Sequence, residues 1–187
     1  MLTEVNMKGI GKCLRAGAFI LVLGGLLTSA TFAAEYDHKI QLKKMSFEWR
    51  VNGDNLDIRL KAKTKGWVAV GFNTEGSMKN ANLILGYVKR GKVKISDQFG
   101  VRQEEHIRDI MTGGQNNIFN KKGSESINQT TISFTIPLKS GDQRDFTINP
   151  SQETIILLAY GKRNDNFQSK HEFRTAIKVN LKTGAYR

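Results

Sequence analysis

Residues 44–63 alternate in polarity with a period of two. Met45, Phe47, Trp49 and Val51 take the apolar positions against Lys44, Ser46, Glu48 and Arg50. Leu56, Ile58, Leu60 and Ala62 take them against Asp57, Arg59, Lys61 and Lys63. Successive side chains of a strand point to opposite faces, so the pattern puts one face in a core and the other in water. A helix would scatter the same residues around its surface. Asn52-Gly53-Asp54 between the two runs has the composition of a hairpin turn. The segment is therefore predicted to be an antiparallel hairpin with one wet face, whose dry face needs a second apolar layer.

Further strand signals lie at 67–72, 82–88, 92–97, 130–136, 146–148, 154–160 and 176–181. Leu83-Ile84-Leu85-Gly86-Tyr87-Val88 is apolar on both faces, as in a central strand. Turns rich in Gly and Asn separate these runs at short intervals, which predicts an all-β fold, a two-sheet β-sandwich. Pro137 and Pro150 fall at strand ends, where a missing donor does little harm. Residues 104–111 carry the one predicted helical turn.

The N-terminus carries Lys8, Lys12 and Arg15, then an uncharged apolar run over 16–27, then the small residues of Thr28-Ser29-Ala30-Thr31-Phe32-Ala33-Ala34. Charge, apolar run and small residues in that order predict a cleaved signal peptide over 1–34, and the run is too short for a membrane span. Residues 35–187 are then a single domain in the periplasm or outside the cell. The lone cysteine, Cys13, falls in the leader, so the domain has no disulfide, thiol nucleophile or thiolate ligand. The formal net charge of +12 would suggest nucleic acid in a cytosolic protein. In an exported one, with lysines spread along alternating strand faces, a solvated surface is the simpler reading, and no nucleic acid is expected. Such a charge also suits docking to an acidic partner or an anionic surface.

Catalytic signatures are missing from the sequence. There is no Gly-x-Ser-x-Gly elbow, no His-Glu-x-x-His pair and no phosphate-cradling Gly-Lys-Ser/Thr loop, so no independent catalysis is expected. Glu104, Glu105 and Asp109 read as a solvated loop. His38 reads as exposed, or as an N-terminal metal site at best; His106 reads as a surface or structural histidine, its neighbours lacking the spacing of a metal site. His171 follows the polar 162–170 stretch at a loop-to-strand edge, where functional side chains are commonly presented. Met45 and Met111 read as packing. Met78 is different, because it stands in the polar loop Thr74-Glu75-Gly76-Ser77-Met78-Lys79-Asn80 with no core to fill.

Gly66-Trp67-Val68-Ala69-Val70-Gly71-Phe72-Asn73, Met78-Lys79-Asn80-Ala81-Asn82-Leu83-Ile84-Leu85-Gly86-Tyr87-Val88, Gly91-Lys92-Val93 and Asp97-Gln98-Phe99-Gly100 together resemble the DOMON domain. Gly113-Gly114, Thr130-Thr131-Ile132-Ser133-Phe134, Pro137-Leu138, Gly141-Asp142, Leu158-Ala159-Tyr160-Gly161 and His171 continue the family's order, so the resemblance covers about 36–181. It implies an immunoglobulin-like sandwich. In the family's cytochrome-type members, to which the chain is similar, it implies one non-covalent b-type haem between a methionine and a histidine. Met78 and His171 match those axial metal ligands, and an iron so ligated has no open site and transfers electrons. Trp67, Phe72, Tyr87 and Phe173 are the expected pocket walls, and Arg174 suits a haem propionate. The family's His-Gly and Arg-Gly pairs are replaced here by His171-Glu172-Phe173-Arg174-Thr175, with Lys170 adjacent as a second possible donor. A redox partner protein, such as a membrane cytochrome or an oxidoreductase, is implied. Other members imply the alternative of a haem-free module for a carbohydrate or a protein.

Overall fold

The computed structural model describes residues 36–73 and 75–187, so the expected leader lies outside the described residues. The strands are β1 (His38–Gln41), β2 (Met45–Asn52), β3 (Asn55–Ala62), β4 (Val68–Asn73), β5 (Asn82–Lys89) and β6 (Lys92–Arg102), followed by β7 (Glu105–Arg108), β8 (Phe119–Ser126), β9 (Gln129–Pro137), β10 (Glu153–Gly161) and β11 (His171–Asn180). They form two antiparallel sheets, one ordered β1-β2-β3-β9-β8 and the other β11-β10-β4-β5-β6-β7. The fold is the expected all-β sandwich. Among the described residues, no helix is long and apolar enough to cross a membrane.

The predicted hairpin is β2–β3, in register from Met45 opposite Ala62 to Asn52 opposite Asn55. Its apolar set is buried between the sheets with Phe72, Ile84, Phe134, Ile156 and Leu158. Trp49 stacks on Phe47 at 4.7 Å and donates from Nε1 to the Leu181 carbonyl at 2.8 Å, tying β2 to the chain after β11. Burying an indole is stable only if its N–H finds a partner, and here it does.

Three local expectations are corrected. Residues 104–111 form β7 and then a 3-10 helix over Asp109–Thr112, because pairing with β6 satisfies the backbone that a helix would otherwise satisfy internally. Residues 146–148 join no strand; the Ile148 N–H donates to the Leu138 carbonyl within the β9–β10 connection. Met111 is 64% exposed and packs no core. Besides β7, two further strands were unforeseen: β1, which is short, and β8, a wet edge strand reading Phe-Asn-Lys-Lys-Gly-Ser-Glu-Ser, whose polarity does not alternate.

Candidate functional site

Both faces of the six-stranded sheet are apolar at its centre. The inward face belongs to the main core. The outward face carries a second cluster, with Trp67, Ala69, Ala81, Leu83 and Leu85 buried and Met78, Tyr87, Leu157, Ala159 and Phe167 packed on them. An apolar sheet face needs a cover, and two connections supply it: the turn between β4 and β5, and the 162–170 loop between β10 and β11.

The β4–β5 turn is built from buried Asn73, whose Oδ1 accepts from the N–H groups of Glu75 (3.2 Å) and Gly76 (3.0 Å), while its Nδ2 donates to the Ser77 carbonyl. The Ala81 N–H donates to the Met78 carbonyl at 3.0 Å, the Asn80 N–H to the Gly100 carbonyl at 2.8 Å, and the Gly100 N–H to the Ala81 carbonyl at 3.0 Å. Gly100 is required here, since a Cβ would lie 1.5 Å from the Met78 carbonyl oxygen. The turn thereby lays the Met78 thioether half-buried on the second cluster.

At the other end of the face the Trp67 indole lies flat over Gly161, where a Cβ would sit 2.4 Å from its nitrogen. Trp67 Nε1 donates to the Ser169 hydroxyl at 3.0 Å, pinning the 162–170 loop. That loop brings Phe167 to 5.0 Å from Tyr87, ring centre to ring centre. Beneath them opens a cleft of about 280 Å³, floored by Ser96 and Gln98 and edged by Lys94 and Arg108. His106 is hydrogen-bonded through Nδ1 to Oε1 of Gln98, and burial lowers its pKa.

His171 stands opposite Gly161 across a bulge in the β10–β11 ladder. It is half-buried, and burial, then the charges of Arg174 and Lys170, hold its pKa below the ordinary value. A neutral imidazole is the form that ligates metal. Arg174 is exposed opposite Ala159, on the outward face.

The sequence-derived set therefore divides. Met78, Trp67, Tyr87 and Arg174 share the outward face, with His171 at its edge. Phe72 and Phe173 point the other way: Phe72 is wholly buried in the main core and Phe173 stacks on Tyr160 at 5.4 Å, so neither walls the outward face. Strand parity decides this, because Phe72 is an odd number of residues from Trp67. Phe167 and Gln98 were missed, the first in a polar loop and the second indistinguishable in sequence from any strand polar residue.

Met78 and His171 also enter from opposite ends. The Gly161 N–H donates to the Trp67 carbonyl at the His171 end, while the Met78 turn leaves β4 at Asn73. That is roughly 20 Å along the strands at about 3.3 Å per residue. The donor types suit a haem iron; their spacing in this conformation does not bring both to one metal.

His38 is neither free nor metal-like. Its Nε2 lies 3.1 Å from the Lys182 carbonyl and its ring 5.2 Å from Trp49.

Residues 41–161 match the DOMON domain family model. DBH-like monooxygenase protein 1 of Mus musculus and of Homo sapiens are each 28% identical over 143 residues, covering 73% of this chain and 23% of the relative. The chain thus spans about a quarter of the length of these curated relatives. Among solved structures, the cytochrome b domain of pyranose dehydrogenase from Coprinopsis cinerea superposes with a TM-score of 0.58 at 14% identity, covering 75% of this chain and 78% of that one. The cytochrome domain of Myriococcum thermophilum cellobiose dehydrogenase gives a TM-score of 0.51 at 13% identity, covering 73% of each. At such identities the likeness is one of fold.

Proposed function

Since the chain belongs to the DOMON domain family, we propose that it is an exported electron-transfer module that binds b-type haem on the outward face of its six-stranded sheet. The observation that carries this reading is the half-buried Met78 thioether, held on an otherwise apolar face by a turn that Asn73 and Gly100 enforce. His171, its pKa lowered at the rim, is the second ligand of this reading; because it stands in the β10–β11 ladder at the other end of the face, the reading requires the His171 end of β11 to leave that ladder. The small side chains of Ala69, Ala159 and Gly71 leave the floor flat, as a planar ring needs. Arg174 and Arg108, on the same face, are suited to carboxylate groups. Haem, when bound, supplies a one-electron carrier; the protein supplies ligands, an apolar surface and partial exposure to a redox partner protein. The fold neighbours named as cytochrome domains support this choice.

The test is a reduced-minus-oxidised optical spectrum of the full chain expressed with haem precursor. Sharp low-spin b-type bands are expected, converted to high-spin or lost in Met78→Ala and in His171→Ala. A protein that stays colourless after reconstitution with haemin overturns the reading.

A second reading is favoured by the cleft under Tyr87 and Phe167, in which aromatic faces stand beside Gln98 and Ser96. Aromatic rings flanked by amides and hydroxyls suit a carbohydrate in a haem-free module. A glycan screen in which Tyr87→Ala abolishes a hit, with no haem taken up, would establish it.

A further inference from the structure

On the inward side of β6, away from the outward face, three carboxylates converge. Asp97 of β6 faces the same side as its ladder partner Ile84. Asp109 opens the 3-10 helix, and Asp145 comes from the β9–β10 connection. One oxygen from each lies within 4.8 Å of the others. Asp97 is 4% exposed and Asp109 1% exposed. Among the described residues, none of the three is in an ion pair.

Hydrogen bonds satisfy only part of the group. Asp97 Oδ2 accepts from the Asn117 N–H at 3.0 Å, and Asp145 Oδ1 accepts from Asn82 Nδ2 at 2.7 Å. Asp97 Oδ1 and Asp109 Oδ2 have no partner. Neither has the carbonyl oxygen of Asn82, a neutral residue of another strand, 6% exposed and anchored to Asp145 by its own nitrogen. Buried polar atoms are almost always paired, so three orphaned oxygens on the residues of this one cluster point to a missing positive group.

We propose that Asp97, Asp109, Asp145 and the Asn82 carbonyl form a binding site for a calcium-sized divalent cation. The donor set is all oxygen, the preference of hard cations, with no nitrogen or sulfur ligand that would select zinc or copper. Two ligands each about 2.4 Å from calcium stand at most about 4.8 Å apart, which the carboxylates already satisfy. Without a cation the group ionises reluctantly. Burial, then the neighbouring acids, pushes Asp97 up to about 7. Burial, then Asp142 and Asp145, pushes Asp109 up to about 6. The Lys121 charge opposes the shift at Asp97 and the Arg144 charge that at Asp109, without reversing either. A bound cation ties β5, β6, the 3-10 helix and the β9–β10 connection together, and stiffens the turn that carries Met78, four residues before Asn82.

Calorimetric titration of the chelator-stripped full chain with calcium chloride, together with its thermal unfolding, tests this without reference to haem. One site is expected, with Tm raised by roughly 5–10 °C at a hundredfold excess over Kd. Asp109→Asn should weaken calcium binding at least tenfold and cut the calcium-induced rise in Tm to about half or less. Asp145→Asn, less buried, serves the same purpose if Asp109→Asn does not fold. No heat of binding and an unchanged Tm in the parent would overturn the proposal, leaving a proton-sharing acid cluster. Magnesium bound as tightly as calcium would overturn the assignment by size.

Discussion

Gly100 and Met78 show how one missing atom shapes the outward face. Because a Cβ on residue 100 would meet the Met78 carbonyl, Gly100→Ala must push the β4–β5 turn off the sheet. A loss of about 2–3 kcal/mol in chemical denaturation is expected. Met78 could be singled out in the sequence, since a long apolar side chain in a polar loop lacks a local reason. The reason is a second apolar cluster assembled from β4, β5 and β10, which no local pattern reveals. Asp109 was misread as solvated for the converse cause: its sequence neighbours are polar, but its spatial neighbours come from β6 and the β9–β10 connection. His106 gives a prediction in pH. Burial lowers its folded pKa below the unfolded value, so the unfolded chain takes the proton first, and stability falls as pH drops below about 6.5. His106→Gln should remove this contribution, so that on lowering pH from about 6.5 to 5 Tm falls less, or rises more, than in the parent, the opposite contributions of Asp97 and Asp109 remaining.

Among the elements, the 162–170 loop decides whether the outward face is open. Its anchor is the bond from Trp67 to Ser169, and its lid is Phe167 on Tyr87. Ser169→Ala leaves a buried indole N–H unpaired, at a cost of about 1–2 kcal/mol. Hydrogen exchange should speed up across 162–170 while β2 and β3 stay protected. The strands with alternating or doubly apolar runs were legible in sequence because burial writes its period directly onto them. β8 and β7 were not, since an edge strand pairs through its backbone and need not bury side chains.

For the whole molecule, stability rests on the layer between the sheets. Phe47→Ala, which empties a fully buried site against Trp49, should cost about 3–5 kcal/mol in a denaturant titration. The sequence by itself determined the all-β class, the β2–β3 hairpin, the two-layer requirement and the family's motif order. These follow from the period of two and from turn composition, which are local. Only the tertiary structure decided that Phe72 and Phe173 face the core, that Met78 and His171 lie at opposite ends of one face, and that three aspartates distant in sequence meet behind it. Strand order, ladder register and loop path set those relations, and they come from long-range pairing, for which adjacent residues carry no signal.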